Sequence, residues 1–171
     1  MNRQRFISHF FLLKRGTKVV ASTVMGYCLM VIVLTSCDFN TVYDKYDHTP
    51  IAGWEKNDTL TFDVPRMAHA GIYREELGLR INDAYPFMRL HLIVEQRLIP
   101  GERTRLDTLN CYLIDEDGNI RGQGVSYYQY TFPITQMQLQ EGDSLHISIR
   151  HDMKREILPG IADIGIKLTR R

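Results

Sequence analysis

Leu60-Thr61-Phe62-Asp63-Val64 alternates apolar and polar residues and stops at Pro65. A two-residue period of this kind puts Leu60, Phe62 and Val64 on one face of a strand. The same signal recurs along the chain. Residues 72–81 carry Tyr73, Leu77, Leu79 and Ile81, with odd positions apolar in the second half, and residues 87–98 carry Phe87, Leu90, Leu92 and Val94 before the turn Pro100-Gly101. Residues 110–114 run into Asp115-Glu116-Asp117-Gly118-Asn119, a tight-turn sequence. Residues 125–132 are rich in aromatics. Leu145, Ile147 and Ile149 alternate after Glu141-Gly142-Asp143, and Ile164, Ile166 and Leu168 alternate after Leu158-Pro159-Gly160.

About seven short strands with turns every 10–20 residues predict an all-β single domain, an antiparallel β-sandwich or jelly roll. The best helical candidate, residues 152–158, is too short to cover a sheet, which argues against a layered α+β alternative.

The first 36 residues follow a different pattern. They carry Arg3, Arg5, Lys14, Arg15 and Lys18 with no Asp or Glu, and then an apolar run over residues 19–33. That run of about 15 residues matches a signal-peptide core and falls short of the roughly 20 that span a bilayer. Leu34-Thr35-Ser36-Cys37 closes it as a lipoprotein signal would, with small residues where a peptidase cuts before Cys37. The expected organisation is a signal peptide over 1–36, a lipidated tether over 37–50 and a β-sandwich over 51–171. Acyl chains on Cys37 each contribute about 0.8 kcal/mol per buried methylene, so more than one chain holds the protein stably on a membrane. The tether is polar, and its Tyr43 and Tyr46 are candidates to dock on the domain.

Cleavage changes the charge. The chain as a whole has 21 Lys+Arg and 20 Asp+Glu, whereas the part from Cys37 onward keeps 16 Lys+Arg against the same 20 acids, a net charge of −4. A mildly acidic domain offers no electrostatic reason to bind nucleic acid. Of three cysteines, Cys28 leaves with the signal and Cys37 is acylated, so Cys111 is expected to be an unpaired, buried small hydrophobe.

Candidate chemistry is sparse. No two histidines stand in metal-binding spacing, although His91, His146 and His151 would approach one another if their strands were neighbours. Asp115, Glu116 and Asp117 lack the ligand order of a calcium loop and read as a solvated hairpin tip. Arg121-Gly122-Gln123-Gly124 lacks the helix and lysine of a phosphate loop. No catalytic residue, metal site or cofactor is assigned. The aromatic set Trp54, Tyr127, Tyr128 and Tyr130 is the candidate interaction surface, with core packing the competing reading and the favoured one for Trp54. Alternation places Tyr128 and Tyr130 on one face with Phe132, and Tyr127 on the other. One face fills the core; the other is available to a protein or a glycan.

Several pieces in order resemble the gliding-motility lipoprotein family GldH of the Bacteroidetes. They are the signal ending at Cys37 with Tyr43 after it, Trp54 with Phe62, Leu79-Arg80, Tyr85-Pro86-Phe87 and Leu90, Asp107-Thr108, Asp117-Gly118, Gly122 with Gly124, and the closing Leu158-Pro159-Gly160-Ile161-Ala162-Asp163-Ile164-Gly165. Ile120-Arg121 and the stretch Arg150-His151-Asp152-Met153-Lys154 depart from the family pattern. The resemblance implies a small envelope lipoprotein of gliding motility and, through that machinery, of type IX secretion. It implies envelope protein partners and carries over no catalytic residues. The alternative is a surface glycan-binding lipoprotein using the Tyr-rich strand. Residues 38–41 lack an acidic cluster beside the cysteine, which favours a periplasm-facing anchor over surface export.

Overall fold

The computed structural model describes residues 40–171; the signal expected over 1–36 and the lipidation expected at Cys37 lie outside the described residues. The strands are β1 (Thr41–His48), β2 (Trp54–Glu55), β3 (Leu60–Val64), β4 (Gly71–Ile81), β5 (Arg89–Ile99), β6 (Arg103–Tyr112), β7 (Tyr128–Leu139), β8 (Ser144–His151), β9 (Ile157–Leu158) and β10 (Ile161–Arg170), with no helix among the described residues. One four-stranded sheet runs β1-β10-β4-β7, the other β3-β8-β5-β6, and β2 pairs with β9 as a separate ribbon. Every ladder is antiparallel. Eight strands in those two orders make a jelly roll, two Greek keys folded on each other.

The period-2 pattern builds the interior. Leu77, Leu79 and Ile81 of β4 and Ile164, Ile166 and Leu168 of β10 face Phe62 and Val64 of β3, Leu90, Leu92 and Val94 of β5, and Ile147 and Ile149 of β8; all are buried in one core. Each such side chain contributes about 1.5–3 kcal/mol by leaving water. Cys111 of β6 is buried with them, and burial pushes its thiol up to about 12.

Register gives the sandwich two ends. Thr41 pairs with Thr169, Arg170 with Tyr73, Gly71 with Leu139, and Ile99 with Ser144. Residue 40, the C-terminal Arg170 and the connections 65–70, 100–102 and 140–143 therefore share one end, the near end. Backbone bonds tie it together: Met67 donates to Asp143, Gly142 to Met67, and Arg170 to Asn40. The longer connections 49–59, 82–88, 113–127 and 152–160 gather at the opposite, far end.

The expected tether over 37–50 needs correction. Thr41–His48 is β1, the edge strand of its sheet, hydrogen-bonded along β10. Two aromatic anchors hold it. Tyr43 packs against the core. Tyr46 lies across the outer face in a trough left by Gly165 and Gly78, which are cross-strand partners. A Cβ at Gly78 would stand 2.2 Å from the Tyr46 hydroxyl oxygen, and one at Gly165 would stand 2.7 Å from its ring. Arg80 stacks over the same ring at 4.6 Å, and Asp163 bonds His48 and lies 3.6 Å from Arg80. The alternation is hidden in the sequence because an edge strand needs one ladder and two anchors, not a full apolar face.

Two other boundaries move. Residues 110–114 were the expected strand, but β6 begins at Arg103, because an edge strand tolerates Arg103, Arg105 and Asp107. The aromatic strand expected over 125–132 is shifted to Tyr128–Leu139.

The near half of the core holds two buried polar side chains among its apolar ones. Glu75 of β4 follows the alternation between Tyr73 and Leu77 and is 0 % exposed, with neither carboxylate oxygen hydrogen-bonded. Burial, with a smaller contribution from the Asp107 charge, raises its pKa to about 8, and Arg105 pulls the other way. Gln96, also buried, donates through Nε2 to Asp107 at 3.1 Å, while Arg105 pairs with Asp107 at 2.8 Å. The Oε1 of Gln96 has no partner. Isolated buried polar groups of this kind cost stability.

Candidate interaction surface

The structure separates the four aromatic candidates. Trp54 is 0 % exposed: its indole N–H donates to the Asp58 carbonyl at 3.1 Å, and its ring meets His151 edge-on at 5.3 Å. Nε2 of His151 lies 3.3 Å from the Trp54 carbonyl oxygen. Burial lowers the His151 pKa, against the opposing effect of that carbonyl. Tyr130 is 6 % exposed, stacked on Phe132 at 6.0 Å with its hydroxyl donating to Leu113. A Cβ on Gly122 would stand 2.5 Å from the Tyr130 ring, so the glycine lets loop 113–127 close over it. Tyr128 is half-buried against the core. Trp54 and Tyr130 are thus corrected from surface to core. Large aromatic surface is worth most inside, where both rings also find hydrogen-bond partners. Tyr127 remains outside, 54 % exposed, in the connection before β7.

The histidines do not converge. β5 and β8 are neighbours, but their register sets Arg97 opposite His146 and Leu92 opposite His151. His146 bonds Asp63 at 2.7 Å. Among the described residues no group of three or more His, Cys, Asp or Glu side chains is placed to hold a metal ion. Glu75 and Glu76 are consecutive in β4, so Glu75 faces the core and Glu76 the outer face.

A groove of about 540 Å³ opens at the far end, lined by Met88, Arg89, Tyr112, Ile114, Glu116 and Arg121 among others. Its walls are held by the backbone. Leu113 donates to Met88 at 3.0 Å and Arg121 to Leu113 at 2.9 Å, which stitches loop 82–88 to loop 113–127. Beneath the first loop Tyr85 is buried and donates to the Arg89 carbonyl at 2.8 Å. Arg89 and Tyr112 are cross-strand partners, and the guanidinium sits 4.8 Å over the ring. Asp115 closes its own turn, accepting from the Asp117 and Asn119 backbones at 3.0 and 2.8 Å. Those bonds, led by the one from Asn119, lower its pKa. Glu116 and Arg121 are left exposed at the rim.

Further along the same loop, Gln123 and Gln129 exchange backbone bonds, so residues 123–129 form a small hairpin. Val125 and Tyr127 are exposed on it, as Ile120 is just before it. Met, Tyr and Arg around a groove with a charged rim is a composition suited to recognising another protein. Tyr112 and Met88 were missed in the sequence. Tyr112 ends a strand whose inward position is Cys111, and that phase alone points Tyr112 outward.

A family model described as GldH lipoprotein matches residues 41–168. The chain is 29% identical over 150 residues to the gliding motility lipoprotein GldH of Flavobacterium johnsoniae, covering 84% of this chain and 93% of that one. It is 24% identical over 159 residues to a GldH homolog of Christiangramia forsetii, covering 88% and 96%. Among solved structures, a family GH115 4-O-methyl-α-glucuronidase superposes with a TM-score of 0.43 at 13% identity, over 80% of this chain and 18% of that one; a likeness of that size carries no argument.

Proposed function

The chain belongs to the GldH lipoprotein family, and from that premise we propose that it is a noncatalytic, lipid-anchored part of the gliding-motility and type IX secretion machinery. Its family makes it a membrane-anchored lipoprotein of the cell envelope. In the proposed reading Cys37 carries the acyl chains, the domain faces the periplasm, and the far end holds a protein partner.

One observation carries the reading: the far end presents Met88, Tyr112, Ile120, Val125 and Tyr127 to solvent on backbone-stitched loops. Apolar side chains of that size cost free energy in water and recover it when a partner covers them. The groove supplies shape, and Arg89, Glu116 and Arg121 supply register.

The test is crosslinking in the native envelope followed by capture of the tagged protein. Motility or secretion proteins should be recovered with the parent chain and depleted with Met88→Ser/Tyr112→Ser. Recovery of abundant unrelated envelope proteins alone would overturn the reading. So would a deletion strain that spreads and secretes normally.

A further inference from the structure

The near end has a groove of its own. About 310 Å³ lies between the start of β1 and loop 65–70, walled by Val42, Met67 and Tyr73, with Arg66 and Arg170 at its rim and Asn40 at one end. Among the described residues no carboxylate lines it. Its frame is built: the Tyr73 hydroxyl donates to the His69 carbonyl at 2.6 Å, Arg170 donates from its side chain to Ala70 at 3.2 Å and from its backbone to Asn40 at 2.8 Å. Arg171 follows directly, its backbone N–H held by Ile72 at 2.9 Å. Although the part of the chain from Cys37 onward is net acidic, this groove is lined by cationic side chains and apolar walls.

We propose that this groove docks on the membrane and takes the phosphate of an anionic lipid headgroup. The proposal rests on acylation of Cys37. That residue is three positions before Asn40, and an extended chain advances no more than about 3.6 Å per residue, so the lipid-bearing residue reaches at most ~11 Å from the groove. Such a short leash makes the near end the end that meets the bilayer. Arg66 and Arg170 then face headgroup phosphates, for which arginine forms paired hydrogen bonds. Val42, 40 % exposed, meets the apolar boundary beneath, while the buried Met67 forms part of the groove's floor. The acidic side chains described at this end, Glu102, Glu141 and Asp143 in the turns and Asp63 near the end of β3, do not line the groove.

The full lipidated chain is reconstituted into vesicles of phosphatidylcholine alone, and of phosphatidylcholine with phosphatidylglycerol. A fluorophore on Ala68→Cys reports the near end and one on Val125→Cys the far end; Cys111 is buried and stays unlabelled. A spin-labelled lipid should quench the Ala68→Cys probe strongly on the anionic vesicles, weakly on the neutral ones, and the Val125→Cys probe on neither. Arg66→Glu should lower the docked-to-undocked ratio roughly five-fold or more, the scale of one basic side chain at an anionic surface. Equal quenching of the Ala68→Cys probe on both membranes, or no change with Arg66→Glu, would overturn the proposal. A protein washed from both vesicle types by salt would speak against the anchor alone. Below that salt, retention on anionic vesicles that depends on Arg66 would still support the headgroup site.

Discussion

The two ends of the jelly roll are built from opposite materials. The near end is short connections tied by backbone bonds, with a rim of arginine; the far end is four long connections that leave Met88, Tyr112, Val125 and Tyr127 in water. The difference extends into the core. Beneath the far end the interior is Leu79, Leu90, Leu92 and Ile149, closed by Trp54 against His151. Towards the near end it contains Glu75 and Gln96 with three unpartnered oxygens between them. One sandwich therefore sets its exposed loops over an apolar interior, and tolerates poorly satisfied polar groups towards the end where β1 begins.

Four substitutions sharpen or break that contrast. Trp54→Ala should have the largest effect, about 3–5 kcal/mol of stability, because it empties a fully buried ring site and frees His151. A denaturant titration measures it; a loss under 1 kcal/mol would mean the far end does not rest on that ring.

Glu75→Gln comes next and depends on pH. The folded pKa of about 8 lies above the ordinary carboxyl value of 4.5, so between those values the folded chain keeps a proton that the unfolded chain has lost. Stability is then fully present below about 4.5, falls by about 1.4 kcal/mol per unit as pH rises, and levels off beyond about 8. The glutamine variant should lack that slope and exceed the parent by a few kcal/mol at pH 8. Parallel pH profiles for the two proteins would remove the idea that the near core carries this penalty.

Gly78→Ala should cost about 1–3 kcal/mol by driving a methyl into the Tyr46 ring. Hydrogen exchange should quicken first in the amides of β1. Unchanged protection there would show that Tyr46 does not clamp the strand.

The smallest stability effect belongs to the far-end surface. Tyr112→Ser should change stability by no more than about 0.5 kcal/mol while reducing partner capture, because the ring is outside the core. A large loss of stability would make Tyr112 part of the scaffold.

Regularity decided what the sequence disclosed. β3 is read to the residue because its alternation is unbroken and Pro65 ends it. β4, β5, β8 and β10 are legible for the same reason. β1 was not, because Tyr43 and Tyr46 face opposite sides and most of its other positions are polar. Glu75 was legible in principle: extending the phase of Leu77, Leu79 and Ile81 two residues back puts it inside. A carboxylate is seldom fully buried, so its charge argues against that placement. Trp54 and Tyr130 stayed ambiguous for another reason, since an aromatic side chain is suited equally to a core and to an interface, and only three-dimensional neighbours decide. The groove at Met88 and Tyr112 joins loops 25 residues apart, and no local pattern encodes that meeting.

The clamp on β1 has a mechanical consequence. With the acyl chains on Cys37 as proposed, a pull on them reaches the domain through residue 40 and arrives along the axis of the strand. The hydrogen bonds from β1 to β10 lie across that axis, so the load falls on the whole ladder at once and cannot peel it one rung at a time. To slide, the strand must also drag the Tyr46 ring out of its glycine trough. A first strand arranged this way is a shear joint, the geometry suited to a part fixed to a membrane and loaded along that strand.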